Sequence, residues 1–140
     1  MLKLTEKLDN SLFNWGLLIL RASFGLLLAL GHGWGKLTNF GAYSTEFADP
    51  FGVGPTLSLA LTVFAEFFCA LAVALGIFAR IATLPLIILF LTIILIIHGA
   101  DPWDKQEFGL LYLIPFVVIL LTGPGKYSLD NMIFKWKKSE

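Results

Sequence analysis

The side chains with the most chemical potential in this sequence lie inside long apolar runs or at their ends. Arg21 interrupts the run from Trp15 to Lys36, and Glu66 interrupts the next one. A charged side chain at mid-depth in a membrane costs about 2.5–3.5 kcal/mol and is rarely left without a partner. At about 100° per residue, Arg21, His32 and Lys36 fall on one helical face. We therefore expect this face to point into a bundle or cavity.

Counting residues along the two apolar runs indicates that Arg21 and Glu66 meet. Arg21 is about eleven residues below His32, and Glu66 is about nine residues below Leu57 on a chain running the other way. At about 1.5 Å per residue, both lie about 14–17 Å from the same end of the bundle. We expect direct or water-bridged contact. The pair is either a clasp that fixes helix register or the lining of a functional site.

Two histidines form a second candidate group. His32 and His98 are predicted at the outer ends of their helices, beside an acidic segment, and Lys36 is a rim charge on the same side. Two imidazoles can relay protons, contact a substrate or ligate a metal or haem, or they can simply bond loop carbonyls at the interface. Two histidines alone are a weak metal signature, so no metal site is predicted. The lone Cys69 excludes a disulfide framework and is treated as a small apolar residue.

The composition defines the class of protein that holds these groups. The chain has 140 residues, of which 57% are hydrophobic and 14% are charged, against about 45–50% and about 25% in soluble domains. Mean hydropathy is +0.81. The chain is therefore predicted to be an integral membrane protein whose first partner is the lipid bilayer. Its formal net charge is zero, so nothing indicates nucleic-acid binding.

The apolar runs predict an all-α fold, an integral membrane four-helix bundle forming a single domain over residues 1–140. The predicted helices cover residues 13–32, 57–78, 81–98 and 108–122. Amphipathic segments at residues 2–12 and 128–138 are predicted to lie at the membrane interface. An aromatic loop from about Gly33 to Thr56 is expected to cap the bundle. The N-terminal run lacks a small-residue cleavage site, so it is predicted to be retained as a helix.

Charge asymmetry predicts the orientation. The termini and the loop between the second and third helices carry most of the lysines and arginines, whereas the other side carries Lys36 and Lys105 among several acidic residues. The positive-inside rule therefore places both termini in the cytoplasm.

Three stretches together resemble the DoxX family of small bacterial four-helix membrane proteins. They are LILRASFGLLLALGHGWGKL, FAEFFCALAVALGIFAR and LTGPGKYSLDN. One departure is Cys69-Ala70, where the family pattern leads us to expect a glycine pair. The resemblance implies a helical bundle associated with membrane redox chemistry. Some relatives are subunits of thiosulfate:quinone oxidoreductase, others accompany oxidative-stress or thiol-handling enzymes, and distant four-helix relatives act as cargo receptors or assembly chaperones.

These observations favour an inner-membrane, redox-associated subunit that binds a quinone or similar lipophilic ligand. Arg21 and Glu66 would line the polar end of its site, and His32 would contact the quinone with His98 beside it. The sequence contains no flavin, Fe–S or haem motif, so a protein partner would supply electrons; the alternative partner is a second copy of the chain in a homo-oligomer. The alternative is a non-catalytic adaptor or assembly factor that recruits a partner through its outer loops. A transporter or proton pathway is a third hypothesis.

Overall fold

The computed structural model describes residues 2–137, and throughout this range the regular structure is helical. Four of the helices are long and apolar enough to cross a membrane, as the composition predicts. In chain order, these first to fourth spans are Lys3–Thr38, Pro55–Leu75, Ala79–Ile97 and Trp103–Thr122. A shorter helix, Leu129–Lys137, follows the fourth span.

The first span is longer than the sequence predicts at both ends. It is α-helical over Leu2–Leu28, π-helical over Ala29–Gly33 and α-helical again over Trp34–Thr38. The predicted interfacial segment 2–12 is therefore continuous with the membrane span, and the predicted start of a loop at Gly33 is wrong. The helix passes through Gly33 because this glycine is packed against the second span, as described below. It ends at Asn39, whose side-chain Nδ2 donates a hydrogen bond to the Gly35 carbonyl oxygen at 2.9 Å.

The remaining spans also shift relative to their predicted limits. The second span contains a π-helical segment, Phe64–Cys69, and ends at Gly76, whose φ of +74° is left-handed. The fourth span begins at Trp103, five residues before the predicted start at residue 108, and Pro102 directly precedes it. Proline is tolerated at the start of a helix because the first N–H groups have no acceptor within the helix, so its missing N–H removes no hydrogen bond.

Small residues set the register of the first two spans, which run antiparallel. A Cβ on Gly25 would lie 2.6 Å from the Ala70 carbonyl oxygen, and a Cβ on Gly33 would lie 2.7 Å from the Glu66 carbonyl oxygen. Ala29, between the two glycines, is fully buried. Small residues spaced four apart allow two helix backbones to approach closely inside a membrane.

The antiparallel arrangement gives the bundle two ends. The terminal side holds the start of the first span, the Gly76 turn and the helix Leu129–Lys137. The loop side holds residues 39–54 and 98–102. The predicted second interfacial segment ends at Lys138, which lies outside the described residues. The cytoplasmic location of the terminal side remains a prediction.

The long loop on the loop side is ordered around Asp49. Its carboxylate accepts hydrogen bonds from the backbone N–H of Val53 and Gly54 at 3.0 and 2.8 Å, and from the Ser58 hydroxyl at 2.8 Å. The Ser58 hydroxyl is the main reason why the pKa of Asp49 lies below its ordinary value. This network fixes the chain that enters the second span.

Candidate functional site

The central feature of the loop side is an ion pair between Lys36 and Glu66. Lys36 Nζ lies 2.5 Å from Glu66 Oε2. The Glu66 side chain is only 6% exposed, whereas the Lys36 side chain is 24% exposed. The carboxylate is thus enclosed and its charge is balanced, while the ammonium group borders the surface. Such a pair can hold a proton or present N–H donors to a ligand.

Two π-helical segments and one glycine bring this pair together. Glu66 lies in the π-helical Phe64–Cys69, and Lys36 follows the π-helical Ala29–Gly33 by one turn. π-Helical segments widen a helix locally and are frequent at functional sites. The two segments contact each other, and Gly33 packs directly on the Glu66 peptide. Any larger residue at position 33 would separate the helices that carry the two charges.

Aromatic rings border the same region. The His32 ring lies 5.2 Å from the ring of Phe108 and 5.9 Å from that of Tyr112. Tyr112 also stacks on Phe90, with ring centroids 5.3 Å apart. His32 precedes Lys36 by about one helical turn, so neighbouring turns of the first span carry the ring contact to Tyr112 and the ion pair to Glu66. These four residues, His32, Lys36, Glu66 and Tyr112, are here termed the loop-side site.

The expected contact between Arg21 and Glu66 is wrong. Arg21 is 2% exposed, and its guanidinium donates to backbone carbonyls. The Nε–H group donates to Pro124 O at 3.1 Å. The Nη1 group donates to the carbonyl oxygens of Val73 and Ala74, and the Nη2 group donates to that of Tyr127. Arg21 therefore lies level with the end of the second span, on the terminal side, and not at mid-depth. Its carbonyl partners indicate a structural role.

Further contacts complete a clasp around Arg21. The Asp130 carboxylate accepts hydrogen bonds from the backbone N–H of Phe78 and Ala79 at 2.8 and 3.1 Å. Ser128 is 1% exposed, and a Cβ on Gly76 would lie 2.5 Å from its Cβ. The clasp joins the first span, the Gly76 turn and the segment after the fourth span. The segment after the fourth span, GPGKYSLD, is part of the third stretch that resembles the family.

The second histidine belongs to a different cluster. His98 Nδ1 lies 2.7 Å from Asp101 Oδ2, and Gln106 Nε2 donates to the His98 carbonyl oxygen at 3.0 Å. The hydrogen bond from His98 is the main reason why the pKa of Asp101 lies below its ordinary value. Over residues 2–137 the structure shows no contact between the rings of His98 and His32. The His98 cluster closes the turn between the third and fourth spans.

Within the described range, no three His, Cys, Asp or Glu side chains converge so as to hold a metal ion. The free Cys69 is buried beside an apolar groove of about 260 Å³ between the second and third spans. That groove is lined by apolar residues and includes neither Arg21 nor Glu66.

Sequence reasoning missed Tyr112 as part of the site and the pairing of Lys36 with Glu66. A signal for the pairing is present in the sequence. Gly25, Ala29 and Gly33 are spaced four apart, as are Ala70 and Ala74. Aligning these small stripes in antiparallel order places Gly33 beside Glu66, and therefore Lys36 within one turn of it.

Comparisons with known proteins agree with this architecture. The model of the DoxX family matches residues 16–99, more than half of the chain. The inner membrane protein YqjF of Escherichia coli (strain K12) is 29% identical over 124 residues, which cover 86% of this chain and 93% of that protein. No solved structure matches the chain. The matched residues include every member of the loop-side site except Tyr112.

Proposed function

Since the chain belongs to the DoxX family and is a multi-pass protein of the bacterial inner membrane, we propose that it is a redox-associated subunit that binds the headgroup of a quinone. The proposed binding region is the loop-side site. One observation carries the proposal, namely the Lys36–Glu66 ion pair enclosed where two π-helical segments meet. A buried charge pair is costly to maintain in a membrane, and such groups commonly mark ligand or proton paths.

The chemistry of the site fits a quinone headgroup. A quinone presents two carbonyl oxygens, which need N–H or O–H donors, on a flat ring that packs against aromatic side chains. Lys36 and His32 supply donors, and the rings of Tyr112 and Phe108 lie beside His32. The partial exposure of Lys36 leaves its ammonium group within reach of a ligand, while Glu66 balances its charge. Few polar groups on apolar walls are typical of ligand sites.

Each residue has a distinct part in this proposal. Lys36 holds a quinone oxygen, and Glu66 keeps Lys36 in place and can accept or release a proton. His32 passes protons between the site and the loop side, where the helix ends. When bound, a quinone takes up two electrons and two protons. The sequence has no flavin or Fe–S motif, so the electrons come from a protein partner.

Analysis of lipids that copurify with the protein tests the proposal. Wild-type protein in mild detergent is expected to retain a quinone, identified by mass spectrometry of the lipid extract. Lys36→Gln should lower the retained quinone by about tenfold, because a hydrogen bond from a charged donor contributes about 1.5–3 kcal/mol. His32→Phe should also lower it.

His98→Phe is the matched control, because His98 lies in a different cluster. This variant should retain as much quinone as the wild type. A wild-type protein without quinone, or equal losses in His32→Phe and His98→Phe, would refute the proposed site.

The ordered loop favours a second function, that of an adaptor which recruits a partner protein. Phe51 and Val53 are 62% and 48% exposed on the segment that Asp49 fixes. Contiguous exposed apolar side chains are typical of interaction sites, and these two residues lie two positions apart in the loop. If the chain is an adaptor, Phe51→Ser will release a partner that crosslinking captures with the wild type, and Lys36→Gln will not.

A further inference from the structure

A polar groove on the terminal side has no part in the proposed quinone site. It has a volume of about 520 Å³, within the range of about 300–1,000 Å³ typical of ligand sites. It lies between the start of the first span and the segment that follows the fourth span. Its lining includes three lysines, one carboxylate and several neutral polar groups, among them Lys3, Glu6, Lys7, Asn10, Lys126 and Tyr127.

The charge of this groove is positive and is not neutralised internally. Lys3, Lys7 and Lys126 outnumber the one acidic residue, Glu6, so the formal charge of the lining is +2. Within residues 2–137 none of these four groups takes part in an ion pair. Asn14 holds the third lysine in place, because its side-chain oxygen accepts a hydrogen bond from the Lys126 backbone N–H at 2.7 Å.

The position of the groove indicates a lipid headgroup as its occupant. Tyr127 lines the groove, and its ring lies 4.9 Å from that of Trp15; aromatic residues of this kind favour the membrane interface. On the adjacent face of the same helix, Leu4, Leu8 and Leu12 are 65%, 56% and 68% exposed. A helix with a basic polar face beside an apolar face is suited to the region where phosphates meet acyl chains.

We infer that this groove binds the phosphate headgroup of an anionic phospholipid, with the acyl chains lying along the leucine face. Basic pockets beside membrane helices attract anionic lipids at about 1 kcal/mol per lysine or arginine. That value corresponds to about a fivefold change in binding for each lysine. The inference depends on the membrane location of the chain and is independent of the quinone proposal.

Native mass spectrometry with defined lipids tests the inference. Delipidated full-length protein in neutral detergent is titrated with dioleoyl phosphatidylglycerol or dioleoyl phosphatidylcholine. The wild type should bind phosphatidylglycerol in preference to phosphatidylcholine. Combined Lys3→Gln, Lys7→Gln and Lys126→Gln substitutions should remove the preference, with a loss of about fivefold per lysine. Glu6→Gln should strengthen binding of phosphatidylglycerol, since it removes the opposing charge.

Lys105→Gln is the control, because Lys105 is an exposed lysine on the loop side, and it should leave the preference unchanged. Circular dichroism checks that each variant keeps its helices. Equal binding of the two lipids by the wild type, or undiminished phosphatidylglycerol binding by the triple variant, would overturn the inference. Displacement of the lipid by glycerol phosphate at equal concentration would show a site for free anions, and it would overturn the assignment to a lipid.

Discussion

The clasp around Arg21 makes a quantitative prediction about stability. Arg21→Met keeps most of the side-chain length but removes every donor. The carbonyl groups of Ala74, Pro124 and Tyr127 then lose their guanidinium partner. A buried carbonyl without a donor costs about 1–3 kcal/mol, and water can recover part of that cost at the two partly buried positions. We expect a loss of about 2–5 kcal/mol in the free energy of unfolding.

Arg80→Met is the matched control at the same end of the bundle. Arg80 is exposed, and its Nη2 donates to Leu121 O at 3.4 Å. Its removal should cost less than about 1 kcal/mol, as is typical of surface substitutions. Arg21→Lys should fall between the two, because one ammonium group keeps the charge but lacks the planar fork that reaches several carbonyls.

Reversible unfolding in mixed micelles of mild detergent and sodium dodecyl sulfate, followed by tryptophan fluorescence, gives the required free energies. The unfolding midpoint of Arg21→Met should lie well below that of Arg80→Met. Equal midpoints for the two variants would refute the clasp, because they would show that the carbonyl bonds of Arg21 add nothing beyond those of an exposed arginine.

Three further predictions concern the helix contacts and the loops. Gly33→Ala should destabilise the bundle by about 1–3 kcal/mol, because the added Cβ would lie 2.7 Å from the backbone of the second span. Gly31→Ala is the control in the same unfolding assay. A Cβ at position 31 has no atom within 4 Å, so this variant should be neutral or slightly stabilising. Asp130→Ala should cost about 1 kcal/mol, because two N–H groups at the start of the third span lose their acceptor. The pKa of Asp49 is lower in the folded protein than its ordinary value of 3.8. The ionised carboxylate therefore stabilises the fold fully at pH values above 3.8, and this stabilisation is lost as the pH falls through the folded pKa. Ser58→Ala should raise the pKa of Asp49 and weaken the fall of the thermal midpoint in acid; an unchanged pH profile would contradict the assignment.

The sequence was sufficient to predict the architecture because hydropathy acts over whole helices. In a bilayer, the backbone N–H and C=O groups of four runs of about 20 apolar residues can all be hydrogen-bonded if each run forms a helix. Small errors in the limits of the runs therefore do not change the fold. The Gly76 turn and the early start at Trp103 moved individual limits by a few residues. Neither changed the number or direction of the spans.

The partner of a buried charge was harder to predict, because it depends on helix register. The expected Arg21–Glu66 contact assumed that the first span ends near His32, whereas it continues to Thr38. That difference moves Arg21 towards the terminal side and brings Lys36 level with Glu66. The partners of Arg21 are backbone carbonyl groups. Every residue has such a group, so the amino-acid sequence does not show which of them accept from Arg21. A pairing rule based on opposite charges therefore could not find them.

Photo-crosslinking with a quinone that carries a diazirine near its headgroup tests the central claim most directly. Wild-type protein in nanodiscs is illuminated, digested and mapped by mass spectrometry. The account predicts crosslinks within residues 29–38 and 64–69, which surround the Lys36–Glu66 pair, with a marked loss in Lys36→Gln. Crosslinks confined to the groove beside Cys69 or to the terminal side, and unchanged in Lys36→Gln, would contradict it.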